Sequence, residues 1–225
     1  LLQRIHFFGG SHFGEDARDV ESYEAFNLKL ENLSVEKDGV RILDSFSIEL
    51  NQGEIIALMG ESGSGKSTLL RRICGLEGDD LGIGQDVAYV AQQPTLVMDT
   101  VAMELQLPIM VHNQLPNASK ELASICGLEE KGKQRNDTLS GGEKQRVTLA
   151  SNLHYHYVHN TRVMIFDEPE KGLGAKGTDI ISSIINCAEY AETTIFICSH
   201  IELKDRKSSP KKMGFTHILD IQKPH

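Results

Sequence analysis

The sequence predicts an α/β fold with a mostly parallel sheet, an N-terminal antiparallel β-subdomain and a small helical subdomain. Four short, continuous apolar runs are typical of strands that are covered on both faces, as in a parallel sheet. Before them, apolar and polar residues alternate between residues 28 and 50, which is typical of half-buried antiparallel strands. Helical patterning between residues 100 and 139 is interrupted by prolines, such as Pro108, and by glycines, which indicates a separate small subdomain.

The composition is that of a globular protein, since 40% of the 225 residues are hydrophobic and the chain is long enough for one sizeable core. The formal net charge of −9 argues against non-specific binding to nucleic acid, whose phosphates would be repelled. Four widely separated cysteines have neither CxxC spacing nor a disulfide framework, so we expect reduced thiols. No apolar stretch approaches the ~20 residues of a membrane span.

The chain is divided by its patterning into a leading segment and one domain. Residues 1–26 have no clear periodicity and are predicted to be a linker or extension. Residues 27–225 are predicted to form the domain, with the helical subdomain at about residues 100–150. In the domain's first strands, alternation begins at Leu28 and continues through the apolar residues up to Leu50.

Each of the four continuous apolar runs stops at polar residues. The runs are Ile55 to Met59, Val87 to Val90, Val163 to Phe166 and Ile195 to Cys198. Ligands of parallel α/β sheets bind just beyond the carboxyl ends of the strands. The four polar strand ends therefore predict one shared site.

The first of these strand ends carries the stretch GESGSGKST, residues 60–68. Its glycines allow positive φ and leave backbone N–H groups uncovered, and a helix beginning at Lys66 would add the positive end of its dipole. The spacing of Gly60, Gly65, Lys66 and Ser67 is the P-loop fingerprint, so the stretch predicts a nucleotide phosphate site. The predicted binding residues are Gly60, Glu61, Ser62, Gly63, Ser64, Gly65, Lys66, Ser67 and Thr68.

Two carboxylates follow the third apolar run, in the sequence Phe166-Asp167-Glu168-Pro169. Phosphoryl transfer needs one carboxylate to hold Mg²⁺ and another group to position the attacking water. Asp167 suits the first role and Glu168 the second. An acidic strand end that merely faces solvent is the alternative, but it is less favoured after a P-loop.

A second helix start with paired glycines lies at Leu139, Ser140, Gly141, Gly142 and Glu143. Ser140 and Glu143 have the spacing of a capping box, which would explain the stretch as the start of an ordinary helix. A cap needs no paired glycines, however, whereas an anion that approaches a helix N-terminus does. One nucleotide could contact both helix starts if they came from different subunits, so the stretch predicts a dimer.

Together, GESGSGKST, LSGGEKQR and VMIFDEP resemble the nucleotide-binding domain of ABC ATPases, over roughly residues 28–220. The resemblance implies a P-loop NTPase core and a head-to-tail dimer that encloses two ATP molecules with Mg²⁺. By position it implies that Ser67, Gln92 and Asp167 contact the metal and that residues 139–143 act in trans. Gln92, with Gln93 as an alternative, would be the Q-loop glutamine, and His200 would contact the γ-phosphate.

The sequence departs from that family pattern at several points. Neither Glu36 nor Lys37 supplies the aromatic residue that usually stacks on adenine, and Gly174 stands where the family usually has an aspartate. His154, His156 and His159 fall in an apparent insertion, HYHYVHN, where surface histidines are favoured over a metal site.

The resemblance predicts the ATP-hydrolysing subunit or domain of a membrane transporter, at the cytoplasmic face of a membrane. Its partners would be a second nucleotide-binding domain, as a homo- or heterodimer, and transmembrane domains that are fused or separate. One alternative is a soluble ABC ATPase that acts on ribosomes or DNA, which the acidic charge disfavours. Another is a degenerate cassette that binds ATP and only regulates. The sequence leaves the substrate and the direction of transport open.

Overall fold

A computed structural model gives the fold of the chain. The residues that it describes are 27–37, 39–77, 83, 86–110, 116–159, 161–169, 180–181, 193–198 and 217–221. Within these ranges the protein has a two-stranded antiparallel sheet and a five-stranded parallel sheet, together with helices on both sides of the parallel sheet. This arrangement confirms the predicted fold class. The leading segment 1–26 lies outside the described residues.

The N-terminal sheet is a hairpin of β1 (Asn27–Lys37) and β2 (Val40–Asn51). Leu28 pairs with Leu50, and Leu30 with Ile48, so alternate residues of the two strands face the same side. Leu28, Leu30 and Leu50 are buried against the parallel sheet's core, while the neighbouring Lys29 and Glu49 are exposed. The alternation in the sequence thus corresponds to one buried and one solvent-facing side, as predicted.

The parallel sheet has the order β4-β5-β6-β3-β7. Its strands are β3 (Ile55–Met59), β4 (Val87–Val90), β5 (Val163–Asp167), β6 (Thr194–Cys198) and β7 (His217–Asp220). The four predicted apolar runs are β3 to β6, and β7 adds an edge strand beside β3. The P-loop follows β3 and the two carboxylates lie at the end of β5. These two strands are separated only by β6.

The parallel sheet separates the core into two clusters, and helices cover the sheet on both faces. The helix α1 (Lys66–Ile73) packs on one face, through Leu69, Leu70 and Ile73. On the other face lie α2 (Val101–Met110), α3 (Pro116–Ile125) and α4 (Gly141–His159), with a 3₁₀ turn at Asn136–Thr138 before α4. Helices α2 and α3 with the start of α4 lie where the sequence predicts the helical subdomain.

Pro108 does not interrupt α2, contrary to the sequence-based expectation that it breaks the helical pattern. A proline has no N–H, so the carbonyl of Glu104, four residues earlier, lacks its usual helical donor. The Ser151 hydroxyl of α4 donates to that carbonyl at 3.2 Å. The neighbouring helix therefore satisfies the acceptor that Pro108 leaves open.

The prediction that the histidines of HYHYVHN are surface residues is wrong for His154. They lie in the last turns of α4, and His154 is fully buried, with Nδ1 at 2.5 Å from the carbonyl oxygen of Leu105. His156 is half-buried and its Nδ1 lies 2.7 Å from the hydroxyl of Thr161. Burial lowers the pKa of His156 to about 4, so this ring packs as a neutral group.

The described residues also bear on the cysteines, on membrane spans and on groups of metal-binding side chains. Cys74, Cys126 and Cys198 are buried free thiols, and Cys187 lies outside the described residues. None of the helices among the described residues is long and apolar enough to cross a membrane. In the same ranges, no three acidic, histidine or cysteine side chains are grouped as a metal would require.

Candidate nucleotide site

The P-loop connects β3 to α1 through glycines in left-handed backbone conformations. Gly63 and Gly65 have φ of 83° and 94°, which side chains with a Cβ rarely adopt. Gly65 is the N-cap of α1, and as a glycine it has no side chain that could cap the first N–H groups of the helix. The first turn also contains no acidic residue. The helix start therefore offers uncapped donors and the positive end of the helix dipole, which together suit a phosphate group.

Lys66 points back across this loop. Its side chain is only 4% exposed, and Nζ donates to the carbonyl oxygens of Gly60 at 2.8 Å and Glu61 at 2.6 Å. Nζ also lies 3.4 Å from the hydroxyl of Ser64. A buried ammonium group needs such acceptors, because removing a charge from water is costly. The loop thus holds its cation at the point where an anionic ligand would approach.

Asp167 is the last residue of β5 and lies beside the start of α1. The Ser67 hydroxyl donates to Asp167 Oδ1 at 2.9 Å, and the Tyr89 hydroxyl of β4 donates to Oδ2 at 3.1 Å. Burial raises the pKa of Asp167, while these two hydrogen bonds act in the opposite direction by stabilising the ionised form. A buried carboxylate next to the P-loop hydroxyl is the arrangement in which P-loop proteins hold Mg²⁺.

Glu168 and Gln92 form the second polar pair of the site. The Gln92 side-chain amide donates to Glu168 Oε2, and Gln92 follows β4 while Glu168 follows β5. Glu168 has a positive φ of 48°, and its N–H donates to the carbonyl of Cys198, the last residue of β6, at 2.8 Å. Gln93 is exposed, and Gln92 is the glutamine that contacts the Glu168 carboxylate.

These contacts bring together side chains from three separated parts of the sequence. Hydrogen bonds join Ser67 to Asp167 and Gln92 to Glu168, and Asp167 and Glu168 are consecutive residues, so polar groups at the ends of three of the four predicted strands lie together. The uncapped helix start and Lys66 fit a triphosphate, and the hydroxyl and carboxylate oxygens fit Mg²⁺, which prefers such ligands. His200 lies outside the described residues.

The second predicted helix start has the geometry of a capping box. The Ser140 N–H and hydroxyl both donate to Glu143 Oε2 at 2.8 Å, and the Glu143 N–H lies 3.3 Å from the Ser140 hydroxyl. The Lys131 ammonium pairs with Glu143 Oε1 at 2.8 Å. This ion pair and the hydrogen bonds from Ser140 lower the pKa of Glu143 to about 2. A Cβ added at Gly141 would meet nothing within 4 Å. No described neighbour in the chain therefore requires a glycine there.

The residues on both sides of Gln92 are tied to the helical segments by buried polar side chains. Glu104 Oε2, in α2, accepts from the N–H groups of Val97 at 3.0 Å and Met98 at 2.8 Å. Asn136 Nδ2 donates to the carbonyl of Met98 at 2.8 Å. The Gln145 amide donates to the carbonyl of Ala91 at 3.2 Å. Sequence reasoning missed these residues, as it missed Tyr89.

Comparisons with known proteins agree with this geometry. The family model described as "ABC transporter" matches residues 43–171. A putative ABC transporter ATP-binding protein of Streptococcus mutans is 33% identical over 191 residues. The match covers 73% of this chain and 34% of that protein, so the chain spans about a third of the length of this curated relative.

Two solved structures share the fold. One, the ATP binding subunit of an ABC transporter, has a TM-score of 0.67 at 23% identity, over 80% of this chain and 81% of the other. The second, a bacterial Atm1-family ABC exporter with ATP bound, has a TM-score of 0.70 at 20% identity. That match covers 88% of this chain and 38% of the exporter chain.

Proposed function

The chain belongs to the ABC transporter family, as an ATP-binding domain, and on this premise we propose that it hydrolyses ATP to drive a membrane transporter. The proposed catalytic domain is residues 27–225, with a helical subdomain at about residues 100–150 and residues 1–26 as a linker or extension. ATP and Mg²⁺ are the proposed substrate and cofactor. The proposal assigns a role to each polar group of the site.

Residues 60–68 would bind the phosphates of ATP. Binding would draw the Lys66 ammonium from the carbonyl oxygens of Gly60 and Glu61 towards the phosphate oxygens. Ser67, Asp167 and Gln92 would hold Mg²⁺, which when bound neutralises the charge that develops on the phosphates. The N–H groups at the uncapped start of α1 would add further donors without a conformational change.

Glu168 would position the attacking water and accept its proton. Its carboxylate lies next to Asp167 and is held by the Gln92 amide, which donates and therefore does not compete for a proton. His200 would contact the γ-phosphate, on the strength of the family resemblance alone. The observation that carries the proposal is the set of hydrogen bonds that join Ser67 to Asp167 and Gln92 to Glu168.

A second nucleotide-binding domain would complete each site, through Leu139, Ser140, Gly141, Gly142 and Glu143 of the partner. Ser140 and Gly141 are exposed, and the space above Gly141 is open among the described residues. Both features support an approach by another subunit, because a phosphate could reach the helix start there. ATP would close this dimer, and hydrolysis would reopen it.

The partners in transport would be transmembrane domains, fused or separate, which would place this domain at the cytoplasmic face of a membrane. The match to only a third of the Streptococcus mutans relative is compatible with a larger assembly. Nucleic acid is not a proposed partner, because the formal net charge is −9. A soluble ABC ATPase or a regulatory cassette would be the alternative.

Replacement of the proposed base tests hydrolysis. We expect Glu168→Gln to bind ATP with Mg²⁺ as tightly as the unmodified protein does, because the side chain keeps its size and an acceptor oxygen. Its turnover should fall by at least 100-fold, in line with the loss of a general base. Phosphate release and equilibrium nucleotide binding measure the two properties. Glu130→Gln, which changes an exposed glutamate, is the matched control.

Hydrolysis by Glu168→Gln at the unmodified rate would exclude Glu168 as the base. Absence of ATP binding by the unmodified protein would instead exclude the whole proposal.

The same variant provides a background for testing the dimer. In Glu168→Gln with ATP, light scattering should detect a dimer, and a further Ser140→Arg change should return the mass to that of the monomer. The arginine would occupy the exposed helix start that the partner's phosphate needs. ATP should still bind the monomer, since the P-loop is unchanged. A full dimer in the double variant would contradict the action of residues 139–143 in trans.

A further inference from the structure

Tyr89 lies on the same face of the sheet as the proposed metal ligand Asp167. In the β4–β5 pair, Tyr89 is opposite Ile165, and side chains alternate between faces along a strand. Ile165 and Asp167 therefore share the face on which Tyr89 projects. This is the face covered by α1, because Tyr89 and Ile165 both pack in the cluster that contains Leu69 and Leu70.

The two oxygens of Asp167 each accept one hydrogen bond. Ser67 donates to Oδ1 at 2.9 Å, and the Tyr89 hydroxyl donates to Oδ2 at 3.1 Å. A carboxylate has about four lone-pair sites, so two donors leave room for a metal or its waters. Two donors from different elements, one on each oxygen, also fix the plane of the carboxylate. Ser67, which binds Oδ1, would itself contact the metal, whereas Tyr89 binds only the other carboxylate oxygen, Oδ2.

We propose that Tyr89 is a positioning residue of the magnesium site, whose hydroxyl orients the Asp167 carboxylate for the metal. This inference rests on the proposed function, which assigns Asp167 to Mg²⁺. Groups that hydrogen-bond to metal ligands typically change metal affinity or activity by roughly 10–100-fold when they are removed. The positioning role would belong to the hydroxyl group of Tyr89, while its ring packs in the core.

A tyrosine on an apolar strand can also serve only as a core residue, and the two roles make different predictions for Tyr89→Phe. Phenylalanine keeps the ring and its contacts with the α1-side cluster. A packing role alone would leave metal affinity unchanged. A positioning role would weaken it, because Asp167 Oδ2 would lose its donor and the carboxylate could rotate.

The test measures metal binding without turnover. Mn²⁺, as a spectroscopic substitute for Mg²⁺, is titrated into protein with the non-hydrolysable analogue AMP-PNP, and electron paramagnetic resonance quantifies the free ion. Competition by Mg²⁺ then gives the Mg²⁺ affinity. Binding of a fluorescent ATP analogue in excess EDTA reports the metal-independent part. Thermal melting checks that each variant is folded.

The matched control is Tyr155→Phe. This tyrosine is also half-buried, but it belongs to α4 and packs against the core on the opposite face of the sheet. We expect Tyr89→Phe to weaken Mn²⁺ and Mg²⁺ binding by roughly 10-fold or more. Nucleotide affinity in EDTA should stay within about twofold, because the phosphate contacts belong to the P-loop. Tyr155→Phe should match the unmodified protein in both measurements.

A double-mutant cycle with Asp167→Asn separates positioning from structure. If Tyr89 acts through Asp167, Tyr89→Phe should have little further effect on metal affinity once Asp167 is replaced. An equal further loss in the double variant would overturn the proposal. So would a metal affinity of Tyr89→Phe within twofold of the unmodified protein.

Failure of the proposed function would look different from failure of this inference. If the unmodified protein binds no AMP-PNP, or if Asp167→Asn leaves metal affinity unchanged, the assignment of the magnesium site is wrong. If Asp167→Asn weakens metal binding and Tyr89→Phe does not, only the role of Tyr89 is refuted.

Discussion

Removal of the buried Glu104 carboxylate should destabilise the protein and loosen the segment that follows Gln92. Glu104 is 4% exposed, and Oε2 accepts from the N–H groups of Val97 at 3.0 Å and Met98 at 2.8 Å. Asn136 Nδ2 lies 3.3 Å from the same oxygen. In Glu104→Ala the two backbone donors lose their acceptor. Asn136 keeps its bond to the carbonyl of Met98.

The cost can be estimated from these bonds. A hydrogen bond to a charged acceptor contributes about 1.5–3 kcal/mol, so two such bonds give about 3–6 kcal/mol. Val97 is 67% exposed, and water can therefore reach part of the vacated space and offset some of the loss. We expect Glu104→Ala to lower the free energy of unfolding by about 3 kcal/mol. Glu104→Gln retains a neutral acceptor and should cost about 1–2 kcal/mol.

Urea unfolding measures the global effect, and amide hydrogen exchange at Val97 and Met98 measures the local one. Exchange at both amides should accelerate in Glu104→Ala and change less in Glu104→Gln. Glu130→Ala, at an exposed glutamate, controls for the loss of a carboxylate as such. A loss below about 1 kcal/mol with unchanged exchange at both amides would refute the reasoning, because those bonds would then contribute nothing.

Two further variants test other parts of the structure. Gly60→Ala should lower the free energy of unfolding by about 3 kcal/mol or more in urea titrations, because its Cβ would lie 2.2 Å from the Ile221 carbonyl oxygen at a φ of +136°. Gly141→Ala, in open space, should cost nothing, and equal losses would contradict the argument. The pKa of His156 is near 6.5 in the unfolded state, and burial lowers it to about 4 in the folded state. Between these pH values the unfolded state binds more protons, so the free energy of unfolding decreases as the pH is lowered. His156→Gln should remove up to about 3 kcal/mol of that dependence, and an unchanged pH profile of unfolding would show that the ring titrates normally.

Much of the fold was predictable because the relevant residues act locally. The continuous apolar runs of β3 to β6 indicate burial on both faces of the sheet. The P-loop glycines indicate the positive φ angles that the turn requires. The rule about strand ends predicted one shared site, and Ser67 and Asp167, which are 100 residues apart in the sequence, do make contact there.

The missed features depend on pairing between distant elements. Tyr89 looks like any apolar strand residue until the β4–β5 register places it diagonally opposite Asp167. Glu104 occurs in an apolar helix, and its donors come from outside that helix, namely Val97, Met98 and Asn136. His154 was misjudged as exposed, because nothing in the sequence indicates that the last turns of α4 pack against α2. Sequence spacing alone carries no information on these contacts.

The left-handed backbone at Glu168 places a cost in stability at the residue that is proposed to act as the base. With a φ of 48° and its N–H bound to the carbonyl of Cys198, this residue costs on the order of 1–3 kcal/mol that glycine would not. A library selected only for thermal resistance should therefore enrich glycine at position 168 and discard the carboxylate. If Glu168 is the proposed base, directed evolution of this domain has to hold residue 168 fixed, because heat-resistant proteins that lack the carboxylate would otherwise dominate the survivors.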